Sequence, residues 1–291
     1  MLPLGAEPLA SSARHALLLA VQALGTCREE VDGAQRQRGE LQDALAGVLA
    51  FVVEGVVGDP EAAGAMLRRA ARDGNVLVAR ALLEARAVDA GAASDAQQQT
   101  PLHLTAVNDS HELVALFLAA GMAVDEHNWA GNTALHLAAG AGALQSVKLL
   151  LDGGSDKDRQ TSIERDTPLI LAAFSGKRDC VELLLEAGCK TDKQDLEGKT
   201  ALVCAAGGGH EACVEALIAH GVDVSLGDKS GLTALMAAAQ QGRENCARRL
   251  LKAGADVDAH DSAGRTALEH AVARRMMGCA HMLREWQARA A

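Results

Sequence analysis

The sequence predicts an all-α solenoid of stacked helix-turn-helix units, and three observations carry that prediction. Six threonines, Thr100, Thr133, Thr167, Thr200, Thr233 and Thr266, recur at spacings of 33, 34, 33, 33 and 33 residues, each with a leucine two positions on. Between them the same chemistry returns in order: a pair of small residues, a glycine, an apolar run and a second glycine. Hydrophobic residues make up 49% of the chain but aromatics only 2%, so Leu, Ala and Val must build a core of thin, closely packed helices. A fixed period in this range marks a repeat stack and outranks the local signals.

Each part of the unit has a physical cause. Threonine caps a helix start, and the proline that follows it at Pro101 and Pro168 is tolerated in the first turn. The pairs Ala138-Ala139, Ala172-Ala173, Ala205-Ala206 and Ala238-Ala239 let neighbouring helices approach closely. Gly142, Gly176, Gly209 and Gly242 then allow a turn, and a second helix follows, as in Val147 to Leu151 or Val181 to Leu185. Gly121, Gly154, Gly188, Gly221 and Gly254 close the units, and an extended loop leads to the next threonine.

On these motifs the chain resembles the ankyrin-repeat family. Thr100-Pro101-Leu102-His103, Thr133-Ala134-Leu135-His136 and Thr167-Pro168-Leu169 match its Thr-Pro-Leu-His signature. Gly131-Asn132-Thr133 and Gly198-Lys199-Thr200 match the turn before it, and Gly254-Ala255-Asp256-Val257-Asp258 matches the usual ending. The resemblance implies a stack whose loops and first helices line a concave, protein-binding surface. It also implies that His103 and His136 tie neighbouring loops together.

Residues 60–291 thus divide into seven repeats, at about 60–94, 95–127, 128–161, 162–194, 195–227, 228–260 and 261–291. The first is degenerate: Met66 to Asn75 and Val78 to Leu83 fit the two helices, but the threonine is missing. Terminal repeats of a stack are expected to be atypical, because their outer faces meet water. Residues 1–59 leave the repeat and read as a helical segment. Leu17, Leu24, Val31, Leu45 and Val52 are spaced in sevens, which suits a coiled-coil arm that makes a dimer. Gly25, Gly33, Gly39 and Gly47 weaken a continuous helix, so the preferred reading is a helical hairpin cap of residues 9–24 and 39–57.

A net charge of −10 argues against nucleic acid, whose phosphates need a basic stripe, and no apolar run is long enough for a membrane span. Ala16 to Gly25 is not read as an export signal, since Pro3, Glu7 and Pro8 precede it and Gln22 interrupts it. Cys180, Cys213, Cys246 and Cys279 recur every 33 residues, which places them on successive second helices as small core residues. Packed helices lie about 8–10 Å apart, too far for a disulfide or a shared zinc ion. Unpaired thiols favour a reducing compartment, the cytoplasm or the nucleus. No catalytic constellation, nucleotide loop or metal set emerges, so no cofactor and no enzyme activity are expected.

Function must then reside in the positions that the stack leaves free: three in each loop before the threonine and two at the end of the first helix. Partner contacts are assigned to Trp129, Asn132, Ile163, Glu164, Phe174, Leu196, Lys199, Lys229, Leu232 and Arg265. Large apolar groups at such sites have no folding reason, and Trp129, Ile163, Phe174 and Leu196 are read as anchors for a helix or extended peptide of another protein. Gly207 and Gly208 are expected to leave room for a bulky partner side chain. The expected role is a non-catalytic scaffold, adaptor or inhibitor; the alternative is a regulatory subunit that dimerises through the amino-terminal helices and presents the stack to an effector.

Overall fold

A computed structural model describes residues 59–85 and 94–290. Both readings of the amino-terminal segment, hairpin cap and coiled coil, therefore fall almost wholly outside the described residues. The chain separates into two compact bodies, Met1–Asp95 and Ala96–Ala291.

In the first body, α1 (Pro60–Asp73) and α2 (Val76–Glu84) form a helix-turn-helix without the threonine cap. Asp59 does that work: its Oδ1 accepts the N–H groups of Glu61 and Ala62, both at 3.1 Å. Asn75 caps α2 through the Val78 N–H at 3.1 Å. Ala63, Leu67 and Ala71 bury against Val78, Ala79 and Leu82, the shared apolar face that makes the pair a unit.

The second body holds six helix pairs, with their first helices at α3 (Pro101–Val107), α5 (Ala134–Ala141), α7 (Pro168–Phe174), α9 (Ala201–Gly208), α11 (Ala234–Gln240) and α13 (Ala267–Ala273). Their second helices are α4 (His111–Ala119), α6 (Leu144–Asp152), α8 (Arg178–Glu186), α10 (Glu211–Ala219), α12 (Glu244–Lys252) and α14 (Met277–Ala290). The threonines cap as expected; Thr167 Oγ1, for example, accepts the Ile170 N–H at 3.2 Å. First helices pack on first helices and second on second, so each repeat touches its neighbours. The four alanine pairs are completely buried, which is the close approach that their size permits. Leu102, Leu135, Leu169, Leu202 and Leu235 are buried in the same way, whereas Leu268 in the last repeat is only half-buried.

The cysteine register behaves as core. All six cysteines among the described residues are free and buried. Burial pushes the thiols of Cys180, Cys213, Cys246 and Cys279 up to about 11, so they stay protonated and unreactive at neutral pH. One register earlier the position is Ser146, fully buried, and its hydroxyl needs a partner. Asp109 supplies it, accepting both the Ser146 N–H and Oγ–H at 2.9 Å.

Candidate functional site

The hairpin loops that precede the first helices are built on an anchor five residues before the threonine. Asn128 Oδ1 accepts the N–H groups of Ala130 and Asn132, at 3.1 and 3.0 Å. Asp195, Asp228 and Asp261 repeat this with the N–H groups of Lys199, Leu232 and Arg265, at 2.8, 3.0 and 2.8 Å. The tight turn needs a left-handed residue, and Gly131, Gly198, Gly231 and Gly264 provide it with φ between 75° and 89°.

The hairpin leading into repeat four departs from this rule. Its closing bond runs from Thr161 N–H to Asp166 carbonyl at 2.9 Å, five residues on, where the others span four. Thr161 Oγ1 accepts the Asp166 N–H at 3.0 Å, and the left-handed place falls to Arg165 at φ 58°. The single 34-residue spacing is therefore one extra residue in this loop.

Contacts between hairpins identify that residue. The N–H groups of Trp129, Leu196, Lys229 and Ser262 donate to the carbonyls of Gln97, Glu164, Glu197 and Ser230, at 3.1, 2.6, 3.1 and 2.8 Å. Glu164 thus holds the place of Glu197. Ser162 holds the place of Lys229: a Cβ on Gly131 would lie 2.1 Å from Ser162 N, as one on Gly198 would lie 2.6 Å from Lys229 N. The residue left over is Ile163. No equivalent backbone bond joins the hairpins before repeats three and four among the described residues.

The four apolar residues singled out from the sequence are all exposed: Trp129 at 64%, Ile163 at 47%, Phe174 at 66% and Leu196 at 46%. The structure brings three of them together. Trp129, Ile163 and Leu196 stand on successive hairpin tips, whereas Phe174 sits at the far end of α7, roughly 10 Å along the axis from its cap. There it shares a register with Val107, 46% exposed at the end of α3. Val107 is not among the residues singled out from the sequence, and the signal that marks it is its place seven residues after Thr100, as Phe174 stands seven after Thr167.

The space beside Gly208 corrects one expectation. A Cβ there would lie 2.6 Å from the His210 ring, which fills the room meant for a partner side chain. The same imidazole places Nε2 2.9 Å from the Phe174 carbonyl, tying adjacent turns. Gly207 stays half-buried, with Ala237 Cβ its nearest neighbour at 3.8 Å.

Among the polar candidates, several side chains are already engaged. Lys199 pairs its ammonium with Glu197. Arg265 grips the Asp261 carboxylate through Nη2 at 2.9 Å and Nε at 3.1 Å. Asn132 and Leu232 are half-buried, while Glu164 and Lys229 are exposed. Lys229 forms no ion pair among the described residues. His103 Nε2 lies 2.9 Å from the Asn132 carbonyl, and His136 Nε2 lies 3.0 and 3.2 Å from the carbonyls of Arg159 and Asp166, the inter-loop ties that the family resemblance implied. Burial holds the His136 imidazole down at about 4, so it stays neutral.

Two further sites were invisible in sequence. His270 Nε2 lies 2.9 Å from Asp261 Oδ2, a buried pair that locks the last hairpin to α13. The Arg265 N–H, its guanidinium and this histidine hold the Asp261 carboxyl far below the usual carboxylate range. Asp166 behaves oppositely: partial burial, then the charges of Asp195 and Glu164, push its carboxyl up to about 6. In the other repeats its register holds Gln99, Asn132, Lys199, Leu232 and Arg265, and only here does a carboxylate precede a carboxylate anchor. Among the described residues no group of three or more His, Cys, Asp or Glu side chains could hold a metal ion, and no helix is long and apolar enough to cross a membrane.

Comparison with known proteins adds relatives to this geometry. The family described as ankyrin repeats (3 copies) matches over residues 67–161, 147–228, 169–261 and 220–290. A probable E3 ubiquitin-protein ligase, XBOS32 of Oryza sativa subsp. japonica, is 38% identical over 90 residues, 31% of this chain and 18% of that protein. Ankyrin repeat and SOCS box protein 3 of Homo sapiens is 36% identical over 104 residues, 34% of this chain and 19% of that protein. NF-kappa-B inhibitor alpha of Gallus gallus is 44% identical over 52 residues, 18% and 16% of the two chains. These matches span less than a fifth of each relative's length. The crystal structure of the ankyrin repeat domain of Bcl-3, a member of the IkappaB protein family, superposes with a TM-score of 0.64 at 27% identity, covering 74% of this chain and 96% of that one.

Proposed function

This chain belongs to the ankyrin-repeat family, and from that premise we propose that it is a non-catalytic scaffold, adaptor or inhibitor that binds another protein across its hairpin tips and first helices. The observation that carries the reading is the run of exposed apolar residues on three successive tips, Trp129, Ile163 and Leu196. Water-facing loops gain nothing in stability from such groups, while each contributes roughly 1.5–3 kcal/mol when fully buried at an interface. Phe174 and Val107 extend the surface toward the opposite helix ends, and Lys229 borders it on the carboxyl-terminal side. A helix or an extended peptide is the partner element that such a row accommodates.

The reduced, buried cysteines suit the cytoplasm or nucleus. Dimerisation through residues 13–57 is the second reading and rests on their heptad spacing. A chain starting at Asp59 that scatters light as the same species as the full chain would exclude it.

The test replaces Trp129, Ile163, Phe174 and Leu196 together by Ser and compares cross-linked partner recovery from cells. The thermal transition should move little, because all four side chains are exposed, and recovery should be lost. Undiminished recovery by a folded variant would overturn the assignment.

A further inference from the structure

We infer that the segment seated on these hairpins is cationic as well as apolar: a peptide whose Lys or Arg lies between Ile163 and Leu196 and meets the carboxylates of Glu164 and Asp166. The inference rests on the docking reading above and adds the chemistry of the occupant.

Two departures from the repeat coincide at this one hairpin. It carries the inserted Ile163, and it lacks the backbone bond that joins every other neighbouring pair of tips among the described residues of the second body. Its left-handed place is held by Arg165 at φ 58°, as Gln98 at φ 57° holds it in the hairpin before repeat two, while Gly131, Gly198, Gly231 and Gly264 serve in the others. The insertion pushes an aliphatic side chain into solvent beside Leu196, whose hairpin is bonded directly to Glu164.

Charge then selects the occupant. Glu164 is exposed and Asp166 half-buried, and neither carboxylate forms an ion pair among the described residues. The nearby cations are turned elsewhere: Arg165 donates from Nη2 to Gln160 Oε1 at 3.2 Å, and Lys199 pairs with Glu197. Asp195, the third carboxylate, is spent on the Lys199 N–H of its own hairpin. Like charges close together oppose folding, and the neighbouring repeats avoid the arrangement by placing neutral or cationic residues in the register of Asp166. A partner cation relieves that repulsion. Lys and Arg also carry a long aliphatic stem, which fits between Ile163 and Leu196 while the charged head reaches the carboxylates.

The experiment selects short random peptides displayed on phage against the immobilised full chain, then measures retention on two folded variants. One is Glu164→Gln/Asp166→Asn and the other Trp129→Ser/Leu196→Ser, each checked by its thermal transition. The retained pool should be enriched in Lys or Arg interspersed with Leu, Phe or Trp, and its affinity should fall about tenfold or more on each variant. Apolar peptides without basic enrichment, held equally by the Gln/Asn variant but lost by the Ser variant, would overturn the inference and leave the docking reading standing. Peptides held equally by the Ser variant, or no enrichment at all, would remove both.

Discussion

Leu196 donates its backbone N–H to the carbonyl of Glu164 at 2.6 Å, so the hairpins bearing two exposed aliphatic side chains, Ile163 and Leu196, are bonded one to the other. The scaffold makes this rung out of backbone alone. Side chains at the tips are thereby released from any packing duty, which is why apolar residues there ask for a partner.

The insertion at Ile163 is removable. Its deletion restores the 33-residue spacing, and the closing bond can then span four residues as in its neighbours. The deletion variant should fold with an unchanged cooperative transition, whereas deletion of Leu196, which is in register, should broaden or lower it. Replacing Arg165 by Gly should add about 0.5–1 kcal/mol in urea denaturation, since glycine adopts positive φ without the steric penalty.

Ser146 and Asp109 should behave as a coupled pair. Asp109→Ala leaves a fully buried hydroxyl without a partner, at about 1–3 kcal/mol. The double variant with Ser146→Ala should recover part of that loss, because both polar groups are then gone. Equal loss in the single and double variants would contradict the pairing.

Acid should weaken the stack through His136. Its imidazole titrates at about 4 when folded and near 6.5 when free, so the folded state binds fewer protons and stability falls as pH drops from 6.5 to 4. The full effect is on the order of 3 kcal/mol for a group this buried. His136→Gln should flatten this part of the profile in denaturation measured across pH. Asp166 runs the other way: its raised folded value means a contribution present at low pH and lost as pH rises through about 6. Asp166→Asn should therefore gain stability relative to the parent chain between pH 4 and 7.

The buried thiols should resist alkylation. Iodoacetamide applied to the native protein should leave Cys180, Cys213, Cys246 and Cys279 unmodified, and all four should react once urea unfolds the stack.

Much of this was legible in the sequence because each cause is local. Thr167 and Pro168 announce a helix start within a few residues, Ala172-Ala173 announce close packing, and the 33-residue register predicts that Cys213 is core. The remainder depends on which segments meet. A spacing of 34 counts an extra residue but cannot say which one it is; only the bonds of Glu164 and the contact of Ser162 with Gly131 single out Ile163. The ring of His210 fills the space at Gly208 because a turn folds back on its own helix end. Phe174 shares its free status with Trp129, yet a helix length separates them. His270 finds Asp261 across a hairpin, and Ser146 finds Asp109 in the repeat before its own, and neither pairing leaves a trace in periodicity.

The most direct test of the docking surface places the photocrosslinker p-benzoylphenylalanine at Ile163, at Leu196 or at Lys148, an exposed position on the second helix α6, in the full chain inside cells. The account predicts that one partner protein is captured from Ile163 and from Leu196 and not from Lys148. Capture of that partner from Lys148, with none from the two hairpin tips, would contradict it.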